Sequence, residues 1–183
     1  TTTFLPAYGV IFRAHFGTAA ETAALFRAGI NWSHWDPDYL NVILYGQGAP
    51  LSPGTGYQYY SGPATANNAV YHNQVKVARR DLPEVFGRVD AAVTDYGFGP
   101  AADYAVADRF YPPEILDDGQ GEMHWRRHMM FLKSDRAEGP DYFVMRDTFA
   151  GDAKRTKWWT WMNLDTPDRV AVDGKAFAKD AVA

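Results

Sequence analysis

The chain has 183 residues, 46% of them apolar, with a net charge of −4, the length and composition of an ordinary globular protein able to bury a substantial core. The mildly acidic balance argues against a general nucleic-acid binder, which needs an excess of Lys and Arg. The lack of cysteine excludes disulfides and thiolate metal sites, and no apolar run is long enough to span a membrane as a helix.

In chain order, short β-rich segments dominate. Residues 8–13 and 41–45 are apolar runs bounded by turn signals. Residues 18–28 are ambiguous: the alanines favour a helix by propensity, but the second half is short, ends at Gly29 and reads as a strand. Residues 69–77 and 87–95 alternate as half-buried strands do, whereas residues 97–107 read as a loop holding one helical turn. The stretch 114–121 is acidic and contains glycine, which suits a solvated connection between strands. Residues 125–133, 141–147, 156–163 and 169–172 complete the series. Many short strands at close spacing predict an all-β fold, an antiparallel β-sandwich occupying residues 1–183.

The segment Ser33-His34-Trp35-Asp36-Pro37-Asp38 gathers one histidine and two carboxylates just before an apolar strand. A strand anchored in a sheet holds polar groups in fixed geometry, as catalysis or metal binding requires; the plainer reading is that these residues cap a loop. No histidine pair has the spacing of a helical zinc motif, and there is no nucleophile elbow or phosphate-binding glycine loop. Hydrolase triads and nucleotide binding therefore find no support.

Taken together, several segments resemble the β-sheet domain of the heparinase II/III-like polysaccharide lyases. Residues 4–13 are similar to the opening strand of that domain. His34-Trp35-Asp36-Pro37-Asp38, the strand ending in Leu44-Tyr45 and Gly48-Ala49-Pro50-Leu51 follow the family order His-x-His-x-Asp, Leu-Tyr, Gly-x-Pro-Leu. Ser52-Pro53-Gly54-Thr55 resembles its Asp-Pro-Gly-Thr turn, and residues 66–70 stand in the place of its His-Asn-Thr-Val motif. Residues 125–133 with 140–147 resemble its paired strands ending in Val-x-Arg-Asp.

The resemblance implies a super-sandwich-like fold forming the C-terminal part of an enzyme with an (α/α)-toroid domain. Nothing in this chain resembles the toroid, so a helical domain or chain of the same enzyme is an expected partner. It also implies β-elimination on an acidic polysaccharide such as an alginate, a glycosaminoglycan or an ulvan-like glycan, in the periplasm or outside the cell. By motif position His34 is the expected catalytic residue, neutralising the uronate carboxylate or abstracting the C5 proton. Tyr59, Tyr60, Tyr71 and Arg127 are the expected glycan-binding residues: tyrosine can stack on a sugar ring, and arginine can meet a carboxylate with two bonds.

No cofactor is required for that chemistry. Some family members hold a structural zinc, and the matching positions here are Asp36, Ser52 and Asn67. Asp36 can ligate a metal, but Ser52 and Asn67 are poor zinc ligands, which leaves a hydrogen-bonded Asp36–Asn67 pair or a hard cation such as calcium. The alternatives to a lyase are a non-catalytic carbohydrate-binding or structural β-sandwich module, and a cation-stabilised domain centred on Asp36 and Asp38.

Overall fold

Burial follows the two-residue period of a pleated strand along much of the chain. A computed structural model describes residues 1–29, 38–46, 48–52, 72–77, 91–113, 121–137, 139–151, 157–159, 170–172 and 175–177. Five strands form one antiparallel meander: β1 (Thr3–Leu5), β2 (Gly9–Ala14), β3 (Thr22–Arg27), β4 (Val42–Gly46) and β5 (Ala49–Ser52), paired in chain order. After β6 (Val75–Val77), four longer strands form a second meander: β7 (Ala91–Phe98), β8 (Ala102–Tyr111), β9 (Met123–Leu132) and β10 (Tyr142–Gly151). Three further strands are β11 (Lys157–Trp159), which pairs with β6, and β12 (Val170–Val172) with β13 (Lys175–Phe177).

The two large sheets share one core. From the first sheet come Val10, Phe12 and Phe26; from the second come Trp125, Met129 and Phe131, all essentially inaccessible to solvent. Phe12 meets Phe131 and Phe143 edge-on, each with ring centroids 6.4 Å apart, while those two rings stack on each other at 4.3 Å. Burying each such side chain is worth about 1.5–3 kcal/mol, so this seam supplies much of the drive to close the sandwich.

Residues 18–28 resolve as expected, with β3 as a strand. Residues 97–107 do not form the expected loop with a helical turn; most of them belong to the ten-residue strand β8. The physical reason is tertiary. Alanine is a weak strand former, but Ala105 and Ala107 are completely buried directly opposite Met129 and Arg127 of β9, where a larger inward side chain would collide with those long ones. On β7 a bulge between Val93 and Asp95 changes which residues face the core. Tyr96 consequently stacks on Phe4 of the other sheet at 4.7 Å, and Asp95 accepts a bond from the Tyr104 hydroxyl.

Two local constraints stand out: one sets the β2–β3 pairing within the first sheet, the other ties the start of the chain to the second sheet. Gly9 has φ +140°, and a Cβ there would lie 2.0 Å from the Phe26 carbonyl oxygen on the paired strand. Asp103, buried on β8, accepts bonds from the Thr2 hydroxyl, the Gly99 amide and the Lys133 ammonium. That carboxylate clamps the first residues of the chain onto the far end of the four-stranded sheet.

Candidate functional site

Strand β4 continues the chain from the His34–Asp38 motif, and the described residues just before it form a dense buried polar cluster. Asn41 donates its amide to the Asp38 carbonyl, closing a tight turn, and Leu40 within it sits in the left-handed region at φ +52°. For a bulky side chain that conformation is strained and persists only when its surroundings enforce it. The enforcing contact is visible: the Leu40 carbonyl oxygen accepts a 2.6 Å bond from Nη1 of Arg127, a residue far away in sequence on β9. On either side, Asp38 lies 3.5 Å from the Arg27 guanidinium, and Tyr39 lies face-on to the guanidinium of Arg109 at 3.9 Å.

Asn73 is the second anchor. Its backbone amide donates to Oδ1 of Asn41 at 2.8 Å, and its side-chain Nδ2 donates to the carbonyls of Val42 at 2.7 Å and Ser52 at 3.1 Å. Its own carbonyl accepts from the Val42 amide and from Nη1 of Arg127. One asparagine thus ties together the start of β4, the end of β5 and the four-stranded sheet. His72 and Gln74, its chain neighbours, are buried with it. The strand expected over residues 69–77 is, among its described residues, only Val75–Val77; His72, Asn73 and Gln74 instead form a bend.

Arg127 completes the network. Its Nε and Nη2 make parallel bonds of 2.8 and 2.9 Å to the two oxygens of Asp147 on β10, and the indole Nε1 of Trp125 adds a third bond of 2.8 Å to that carboxylate. Arg127 is fully buried, so its charge is answered inside the protein by a bidentate pair and two carbonyls. This corrects the sequence expectation of Arg127 as a glycan ligand. The side chain faces the core because β9 alternates, and Arg126, its neighbour, takes the outer face and pairs with Asp108 instead. That pairing holds the Asp108 carboxyl below the usual carboxylate range, chiefly through the Arg126 hydrogen bond.

The other expected site residues, His34, Tyr59, Tyr60, Tyr71 and the metal candidate Asp36, lie outside the described residues, as does Asn67. Among the described residues no three His, Asp or Glu side chains gather to hold an ion.

Chemically, the cluster is a scaffold. The donors of Arg127 and of the Asn73 side chain are engaged, and a buried hydrogen-bonded network of this kind rigidifies its surroundings. What it holds still is the chain entering β4.

Fold and site together define an all-β protein, an antiparallel sandwich of a five-stranded and a four-stranded sheet pinned by a buried Arg–Asp pair. No family model matches the sequence, and no curated protein matches it. Among solved structures, the chain is similar to "Heparinase III-BT4657 gene product", with a TM-score of 0.61 and 19% identity. The match covers 81% of this chain and 22% of that one, so the chain spans about a fifth of that protein's length. At this identity the likeness is one of fold.

Proposed function

We propose that this chain is the β-sandwich portion of a polysaccharide lyase that cleaves a uronate-containing glycan by β-elimination. The observation that carries the reading is the sandwich likeness to a heparinase III over 81% of the chain, joined to the order of motifs along the sequence. In the proposed reaction a base removes the C5 proton of the uronate. The electron pair released forms the C4=C5 double bond, the C4–O bond breaks, and the departing glycosidic oxygen takes a proton from an acid. Negative charge builds on the uronate carboxylate on the way, so a donor beside it lowers the barrier. His34 is assigned to that position, either neutralising the carboxylate or taking the proton. The Arg127–Asp147–Asn73 cluster would act as a positioning device, fixing the strand that follows the His34 motif. A helical domain of the same enzyme would supply the opposite wall of the cleft.

The test is ultraviolet absorbance of the unsaturated uronate product during a screen of acidic glycans. It is run with this chain alone and with the chain in its longer native context. A rise that appears in the longer protein and vanishes in His34→Ala, with folding and glycan binding retained, supports the lyase. A folded longer protein that releases no unsaturated product from any acidic glycan refutes it and assigns the chain to a non-catalytic module.

A further inference from the structure

The outward face of the four-stranded sheet is sorted by chemistry in two directions. Along the strands, one end is apolar: Tyr104, Met130, Leu132 and Val144 are each between 38% and 52% exposed. Across the strands, acids and bases separate. Asp95 and Asp108 lie on β7 and β8, whereas His124, Arg126, His128 and Arg146 lie on β9 and β10.

The strand register arranges these side chains in rows. Asp95 is opposite Val106, Val106 opposite His128, and His128 opposite Arg146, so the four form one line across the sheet. The neighbouring line towards the apolar end is Gly97, Tyr104, Met130 and Val144. On the other side, Asp108 is opposite Arg126. Gly97 makes a hollow at the β7 end of its row: a Cβ there would lie 2.6 Å from Cε1 of the Tyr104 ring. The Tyr104 hydroxyl donates to the Asp95 carboxylate, which keeps that ring low over β7.

Exposed apolar surface gathered on one sheet face marks an interaction site. The charges on this face say what covers it. Among the described residues Asp95 has no ion pair, and Arg146 has neither an ion pair nor a side-chain hydrogen bond, although both are exposed. We propose that two copies of the chain pack these faces together about a twofold axis that runs parallel to the strands between β8 and β9. Such an axis keeps each row in place and exchanges its two ends. Asp95 of one copy then faces Arg146 of the other, and symmetry makes that contact twice. Asp108 faces Arg126 of the second copy, so the two intramolecular pairs meet as an alternating ring of charges. In the apolar row the Gly97 hollow receives Val144, and the Tyr104 ring meets the Met130 sulfur. The face is its own complement, which is why a second copy fits it better than an unrelated surface.

The strands of the two copies would run nearly aligned, as sheets stacked face to face do. Four strands of ten residues present roughly 600 Å² of flat area per copy, and so ~1,200 Å² in the pair, at the lower end of specific interfaces. A reversible dimer is therefore expected. The proposal concerns association rather than turnover and stands independently of the lyase reading.

The test is sedimentation velocity of the 183-residue chain from about 1 to about 100 µM, the range in which a micromolar Kd is read. The expected result is a monomer–dimer equilibrium approaching twice the 20.5 kDa chain mass, weakened by added salt. Asp95→Arg and Arg146→Asp should each weaken the dimer about tenfold or more, because each sets like charges against one another at two symmetric positions. An equimolar mixture of the two variants should associate again, since every facing pair then joins opposite charges. Circular dichroism and the thermal midpoint establish that each variant is folded. Should either fail to fold, Val144→Asp, a change at an exposed position in the apolar row, should abolish the dimer. A folded wild-type chain that stays monomeric at about 100 µM overturns the proposal and gives the face to another occupant. A dimer indifferent to the substitutions, or folded charge variants that do not associate on mixing, would overturn it as well.

Discussion

Replacing Arg127 by methionine is the most informative perturbation of this fold. Methionine keeps an unbranched apolar stem of similar length but removes every donor. Two bonds to Asp147, one to the Leu40 carbonyl and one to the Asn73 carbonyl disappear together. Asp147, whose side chain is 16% exposed, keeps only the Trp125 indole among these partners. The variant therefore leaves a partly buried carboxylate without its counter-charge, a change that costs about 3–5 kcal/mol when one member of a buried pair is removed. For a chain of this size that lowers Tm by roughly 6–20 °C. Arg127→Met with Asp147→Leu removes both charges and should recover a large part of the loss, because the uncompensated carboxylate is gone. Urea unfolding of the single and double variants, followed by tryptophan fluorescence, gives both quantities. A loss below about 1 kcal/mol for Arg127→Met would refute the assignment of Arg127 as a structural pin, the surface-pair magnitude being of that order. So would strictly additive losses in the double variant.

Three further outcomes are expected. Gly9→Ala should destabilise the chain by well over the ~1 kcal/mol of an ordinary glycine change, since the added Cβ meets the Phe26 carbonyl at 2.0 Å with backbone on both sides; an unchanged thermal midpoint would contradict the β2–β3 geometry. Asn73→Ala should cost about 2–3 kcal/mol by leaving the Val42 and Ser52 carbonyls without their Nδ2 donor, read by the same urea titration. The Arg126 hydrogen bond lowers the carboxyl of Asp108 in the folded state. The unfolded chain therefore binds the proton first on acidification, and the pair's stabilisation is full above the usual carboxylate pKa and lost as pH falls through the lowered folded value. Asp108→Asn should make the acid side of the stability–pH curve shallower, and a curve of unchanged slope would count against the pair.

Much of the sandwich was legible because its strands carry strong local signals. In β2, β4 and β10 most of the apolar residues are β-branched or aromatic and the breaks are Gly, Pro or Asp, so period and boundaries both show. β8 was not legible, since its inward positions are small: Ala105 and Ala107 look like helix or loop in isolation and become strand residues only opposite Met129 and Arg127. The site was legible in outline alone. Alternation along β9 put Arg126 and Arg127 on opposite faces, but which one faced the core could not be read from two identical residues. Burial chose Arg127 because Asp147, paired with it in register on β10, is the carboxylate available inside the sandwich.

By itself, then, the sequence determined the all-β class, most strand positions and the absence of thiol chemistry, because these depend on residue type and short-range period. Only the tertiary structure decided that Leu40 is held in a left-handed conformation, that Asn73 bridges to Ser52, and that Asp141 closes one wall of a cavity. Each of these depends on contacts between residues remote in the chain, such as the 87-residue separation of Leu40 and Arg127. No local pattern encodes such a partner; it exists once two sheets have closed on one core.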